Sequence, residues 1–332
     1  MKGDDIKRIM TTILLVDRCF LTYLLLIRLS SEKLPAGKAR IILNLPRAYA
    51  VTSDEQELAR LDAQHAGFKA AQGGKNYWAP FAEALPNEGA DKMCLDIGVG
   101  TGIWAIEMAK EFPRAEWIGT DLAPVQKDYD IPDNLHFVQE DATKGFGYPD
   151  AHFDVIHARM LIAGIRNWKA LINEVVRLLK PGALVVFVEC VVPWRLMGVP
   201  EEEQRKVAPG FVKFGEYLTA GCEGRGYDND AATKHIAKYL RENGAMGEVQ
   251  QAPIALPLWP WSDDPVLKKC GQVMLADSKE VPDATRHLII DGCQIKPSLF
   301  EEIKQGYMED LERPGCHSAL LACHNWAFKN KA

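Results

Sequence analysis

The chain has 332 residues, 47% hydrophobic and 25% charged, which suits a soluble globular protein with one large core plus additions. Its formal net charge of −6 offers no basic footprint, so nucleic acid is excluded as an expected partner. The eight cysteines form no Cys-x-x-Cys pair and read as reduced, mostly buried thiols of a cytoplasmic protein.

Residues 1–45 form an apolar N-terminal extension of uncertain role. The stretch 9–27 is rich in Leu, Ile and Val, but Asp17 and Arg18 stand at its middle. Each would cost roughly 3 kcal/mol at a membrane centre, against about 0.5 kcal/mol returned by each leucine. The expectation is an apolar helix packed on the domain or on a partner, not a membrane span. A Pro/Gly/basic linker follows at 34–38. A polar, acid-rich helical pattern then covers 53–71, capped by Ser53 or Asp54 and stopped by Gly73-Gly74. Asn76-Tyr77-Trp78-Ala79-Pro80 reads as a turn.

From there strand and helix alternate. Strands are expected at 92–97, 115–119 running on to Asp121, 135–138 and 153–157, with a helix at 103–111 after the first. A helix at 168–179 is stopped by Lys180-Pro181-Gly182, and 183–191 is a continuous apolar strand of the kind covered on both faces. This βαβ rhythm predicts a doubly wound parallel sheet. The stretch 193–244 turns helical and interrupted, carrying Trp194, Phe211, Phe214, Tyr217 and Tyr227 among glycines. Such aromatics suit either a core or a flat, greasy ligand, and the glycines make movement plausible. A strand at 250–258, helices at 264–276 and 297–311, and a closing strand at 318–328 complete the chain. The Cys316-His317 and Cys323-His324 pairs fit no standard zinc spacing, so no metal is expected.

The first strand ends in Cys94-Leu-Asp-Ile-Gly-Val-Gly-Thr-Gly-Ile-Trp104. Gly98, Gly100 and Gly102 alternate into a helix, which lets backbone approach a ligand where open α/β sheets bind nucleotides. A dinucleotide fingerprint would place its third glycine at 103, where Ile103 stands. A nucleoside without a pyrophosphate is the better match, and S-adenosylmethionine is the common ligand of that kind. Asp121 ends the second strand, where a carboxylate can accept both hydrogen bonds of a ribose diol. Asp141 follows the third, where a side chain can meet an adenine amino group while the Ala142 N–H faces the ring.

With these motifs the chain resembles class I S-adenosylmethionine-dependent methyltransferases, in particular the fungal secondary-metabolism and LaeA-like group. The likeness runs from about residue 47 to the C-terminus. It is carried by Tyr49-Ala-Val-Thr-Ser-Asp54, by Leu95 to Ala105, by Ile118-Gly-Thr-Asp-Leu-Ala-Pro124, by Phe153-Asp-Val-Ile-His-Ala-Arg159 and by Leu256-Pro-Leu-Trp-Pro-Trp-Ser-Asp-Asp-Pro265. Val99 and Ala183 depart from its usual pattern without touching the sugar or purine contacts.

The resemblance implies a Rossmann-like, seven-stranded, mostly parallel α/β sheet. A helical cap at 46–88 would precede a methyltransferase domain at 89–332, with a helical substrate lid inserted at 194–245. It implies cofactor contacts from Asp96, Thr101 and Leu122 as well as the residues above. His157 would face the transferable methyl and serve as general base, while His65, Tyr77, Trp78 and Arg159 would meet a small-molecule substrate. Methyl transfer to O, N or C of a secondary metabolite is the implied activity. A regulatory protein of the LaeA kind and a non-methylating cyclase are the alternatives on the same fold.

Overall fold

The apolar runs pair into one seven-stranded sheet, in the order β3-β2-β1-β4-β5-β7-β6. In this computed structural model the described residues are 54–125 and 129–331. The apolar run at 9–27 and Ser53 lie outside them. Among the described residues, no helix is long and apolar enough to cross a membrane.

Strands β1 (Lys92–Ile97), β2 (Ala115–Asp121), β3 (Leu135–Gln139), β4 (Phe153–Arg159) and β5 (Leu179–Leu196) run parallel. β6 (Gln250–Pro257) and β7 (Ser318–Phe328) close the far edge, with β7 antiparallel to both neighbours. Helix α1 (Asp54–Ala71) packs against α2 (Ile103–Glu111) and β6. Helix α3 (Trp168–Leu178) has Trp168, Leu171, Ile172, Val175 and Val176 all buried, an i, i+3, i+4 stripe that seats it on the sheet. The Asn167 side chain caps it by accepting from Ala170 N at 3.0 Å.

Strand β5 is longer at both ends than its apolar run predicts. The Lys180-Pro181-Gly182 stop sits within it, because a register shift between Phe153 and Val155 of β4 absorbs the irregularity. At its other end, β7 keeps pairing through Leu196.

Helices α4 (Glu201–Val207), α5 (Pro209–Gly224) and α6 (Ile236–Glu242) occupy most of the segment expected as a lid. Further on come α7 (Pro265–Ala284), α8 (Arg286–Cys293), which the sequence pattern does not predict, and α9 (Pro297–Leu311). Helix α7 outruns its expected end by two turns and carries Pro282 in its last one.

Close helix packing, rather than movement, explains several glycines here. A Cβ on Gly210 would stand 2.1 Å from Gly306 O of α9, and one on Gly221 would stand 2.5 Å from Leu288 O of α8. The aromatics form a core of their own. Phe214 and Tyr307 have ring centroids 4.6 Å apart, and Phe211 and Trp194 join them. The helical layer at this end therefore draws on two separate segments, 201–224 and 286–311.

Helix α1 is held to α7 by a close approach, an ion pair and a hydrogen bond from Cys270 Sγ to Gly67 O at 3.3 Å. A Cβ on Gly67 would overlap Met274 Sδ at 2.1 Å. Arg60 Nη1 bonds Asp277, and both side chains are almost wholly buried. Glu57 also holds Arg60, through two contacts of 2.8 Å, so it is loss of Arg60 that strands a buried charge, that of Asp277, in a low dielectric. Arg60→Met is expected to lower the unfolding free energy by about 3–5 kcal/mol, measured by urea denaturation. A loss below about 1 kcal/mol, the worth of an exposed pair, would refute the clamp.

Candidate functional site

The carboxyl ends of β1, β2 and β4 meet under α1. Gly98, Gly100 and Gly102 have φ of 73°, 57° and 81°, in the left-handed region that side chains resist. The loop is tied to β2 through Gly98 N and Val99 N, which both donate to Thr120 O. It is also crowded. A Cβ on Gly98 would lie 2.1 Å from Leu161 Cδ2, and one on Gly102 would lie 2.6 Å from Phe137 Cζ. Over Gly100 the nearest side chain is that of Leu61 on α1, which a Cβ there would meet at 3.3 Å.

Asp121 stands beside this loop. One of its oxygens accepts from Gly100 N at 2.8 Å, the other from Ala123 N at 3.0 Å. Burial raises its pKa, and the two amides only partly counter this. Each oxygen keeps a lone pair. Leu122 and Ala142 are half-buried nearby, and Thr101 is buried at the entry to α2. Asp141 caps a short 3-10 turn, accepting from Thr143 N at 3.0 Å and pairing with Lys144 at 3.0 Å. Burial would raise its carboxyl, but the Thr143 and Lys144 bonds outweigh that and hold it low.

Asp96 points under the loop and meets His157 on β4, with Oδ1 and Nδ1 2.8 Å apart and both side chains buried. The imidazole lies flat on Trp104, with centroids 3.6 Å apart. Burial lowers the His157 pKa more than Asp96 raises it, so the ring is neutral near pH 7.

The four residues expected at the substrate come together. Tyr77, Trp78 and Arg159 line one small cavity with Phe68, His157 and His324. His65 reaches the same group from α1, its Nδ1 3.2 Å from Arg159 Nη2. The other side of His65 faces Glu107 at 3.3 Å, and Glu107 also binds Lys69. Those two neighbours, His65 first, hold the Glu107 pKa down at about 2 against its own burial. A second, more apolar cavity is lined by Gln64 of α1 with Met160, Trp194 and Leu320.

Two participants are not legible in the sequence. His324 lies inside an apolar strand, where its pairing with Cys323 raises only the question of a metal. Glu189 of β5 is fully buried and accepts from Leu161 N at 2.8 Å and Ile162 N at 3.3 Å. It thereby anchors the turn after β4, where Met160 adopts φ of 58° and Leu161 leans on Gly98. No run of residues around it marks that role.

Comparison with known proteins fits this arrangement. A family model described as a methyltransferase domain matches residues 70–266. The chain belongs to that methyltransferase family. It is 31% identical over 232 residues to a secondary metabolism regulator, laeA, of Coprinopsis cinerea, a match covering 68% of this chain and 57% of that protein. It is 29% identical over 276 residues to methyltransferase pytC of Aspergillus terreus, covering 82% of this chain and 80% of the relative. With methyltransferase str2 of Strobilurus tenacellus it shares 27% identity over 270 residues, covering 80% and 89%. This methyltransferase chain therefore spans little more than half of the regulator it matches, and most of the two enzymes. S-adenosylmethionine is its cofactor.

Glu189 yields a pH test of the anchor. Burial pushes its carboxyl up to about 8, and the two amides only partly oppose this. An unfolded glutamate titrates near 4.3. Between those values the folded protein holds a proton that the unfolded chain has released, so this contribution to stability falls as pH rises. Glu189→Gln should remove that slope. The stability gap between wild type and variant, measured in urea at pH 5.5 and pH 8.5, is expected to shrink at the higher pH. A constant gap would contradict the buried anchor.

Proposed function

We propose that this methyltransferase-family chain transfers the methyl group of S-adenosylmethionine to an oxygen, nitrogen or carbon of a small secondary metabolite. The observation that carries the reading is the pairing of Asp121 with the glycine loop. Its carboxylate holds two backbone amides and keeps a lone pair on each oxygen, beside a loop apex that bears no side chain. That donor and acceptor pattern fits a ribose diol, and Ile103 at the dinucleotide glycine position disfavours a pyrophosphate. The residues present therefore fit an adenosyl cofactor.

In this reading Asp96, Gly98, Gly100, Thr101, Gly102, Asp121 and Leu122 hold the sugar and amino-acid end. Asp141 and Ala142 meet the purine. The bound sulfonium supplies an already activated methyl group, so the protein's part is mainly alignment. His157 is the general base for an acceptor that carries a proton. Its support is a neutral ring whose Nδ1 is oriented by Asp96, which leaves Nε2 to accept. His65, Tyr77, Trp78 and Arg159 contact the acceptor. The cap formed by α1 and the turn at 76–80 excludes water.

A second reading, a regulator acting through partner proteins, is favoured by the resemblance to a relative named as a secondary metabolism regulator. The two part on turnover. Incubation with methyl-labelled cofactor and an extract of host cells lacking this chain is expected to label a small metabolite. Cofactor uptake with no labelled small molecule would favour the regulator.

Asp121→Ala is expected to weaken S-adenosylmethionine binding by more than about tenfold, because charge-assisted hydrogen bonds are lost. Titration calorimetry reads this directly, and an unchanged dissociation constant would refute the assignment.

A further inference from the structure

Helix α1 is joined to the chain beyond β2 by a hydrogen bond outside the residues assigned to the cofactor. Tyr129 Oη donates to Asp62 Oδ2 at 2.6 Å, across 67 positions of sequence. That is the short separation of a hydroxyl on a carboxylate, roughly twice as strong as a neutral pair. Both ends stand by the glycine loop. Asp62 follows Leu61, the nearest side chain over Gly100, and Tyr129 lies on the connection between Asp121 and β3. These contacts close a ring. Leu61 roofs Gly100, Gly100 N donates to the Asp121 carboxylate, and the chain leaving Asp121 returns to α1 at Tyr129. The carboxylate read as the ribose acceptor is a member of that ring, which the tyrosine bond completes.

Other contacts of α1 fix the helix without closing this ring. Arg60 is turned to Asp277 of α7, while His65 and Lys69 both reach Glu107 of α2. A helix pinned in this way presents Asp62 as a fixed anchor. Asp130, next to the tyrosine, pairs with Lys110 of α2 at 3.6 Å, but its side chain is 98% exposed and such a pair holds little. Tyr129 is half-buried against the core, so its hydroxyl makes the stronger tie.

We propose that the Asp62–Tyr129 bond is a strap over the adenosyl site, broken each time S-adenosylmethionine enters and S-adenosylhomocysteine leaves. The proposal rests on the methyltransferase reading above and deepens it, giving control of cofactor exchange to a pair outside the binding residues. A bond made in both the loaded and the empty protein contributes equally to each, so it leaves the dissociation constant alone. Its effect is on the barrier, in both directions. A residue that touched the cofactor would act otherwise, since its loss would weaken binding chiefly through faster release.

The test follows S-adenosylhomocysteine binding to the full chain by surface plasmon resonance, which reads both rate constants. Tyr129→Phe keeps the ring and removes the hydroxyl. It is expected to raise the association and dissociation rate constants by about fivefold or more each. The dissociation constant is expected to stay within about twofold of wild type. Asp62→Ala should do the same, and the double variant should add less than about twofold, because either change breaks the same bond. Asp62→Asn keeps an acceptor oxygen and should give a smaller rise. Wild-type rates in Tyr129→Phe and Asp62→Ala would overturn the proposal. So would faster dissociation alone, which marks a direct cofactor contact, or a lower melting temperature with unchanged rates, which marks a contact of the fold only. Wild-type protein that takes up no S-adenosylhomocysteine would overturn the cofactor reading together with the strap. Uptake by wild type, with unchanged exchange in the variants, removes the strap and leaves the methyltransferase reading standing.

Discussion

Leu161 leans so closely on Gly98 that no side chain could stand at that position, and Phe137 does the same at Gly102 and Gly119. The glycine loop is therefore clamped from two strands at once, with a backbone that only glycine adopts without strain. Everything at the ligand end of the sheet takes its position from that clamp. Asp121 is held by Gly100 N, Asp96 leaves β1 just beneath the loop, and α2 starts from it. Glu189 matters for the same reason. By accepting from Leu161 and Ile162 it fixes the turn that presses on Gly98, linking β5 to a loop two strands away.

The face of the sheet under α1 carries more polar chemistry than a folding core needs. Asp96–His157, Arg159–His65 and Glu107–Lys69 form a chain in which burial disfavours the charged forms of His157, Arg159 and His65. Two of the three involve α1 directly. The ion pair of Arg60 with Asp277 and the contact of Gly67 with Met274 hold that helix in place from the α7 side. Helix α1 is thus fastened on one side by α7 and on the other by these polar groups. Replacing such a polar chain with apolar residues would often stabilise a protein, so its presence points to use rather than to stability.

Much of this is legible in the sequence where one local rule governs one element. The alternating glycines, the acids ending β2 and following β3, and the apolar runs of the parallel strands all reflect short-range constraints. For β1 to β4 the structure places the boundaries within a residue or two of the pattern. Legibility fails where distant pairing decides. Strand β5 continues across Lys180-Pro181-Gly182 because its neighbours β4 and β7 keep bonding to it. Helix α8 carries only Leu288 and Ile289 as buried residues, too few to show a period. The lid glycines read as hinges until α5 is seen against α8 and α9. Glu189 stands alone in an apolar run and His324 stands beside Asn325 in another, and only the arrangement across the sheet reveals what they face.

The function proposed for this fold requires an adenosyl group seated against Asp121 at the open side of the glycine loop. A crystal structure of the complex with S-adenosylhomocysteine tests this most directly. Both ribose hydroxyls are expected within hydrogen-bond distance of the Asp121 carboxylate, and the purine beside Asp141 and Ala142, with the loop backbone unmoved. A ligand bound away from Asp121, or a loop that must unwind from Leu161 to admit it, would contradict that placement.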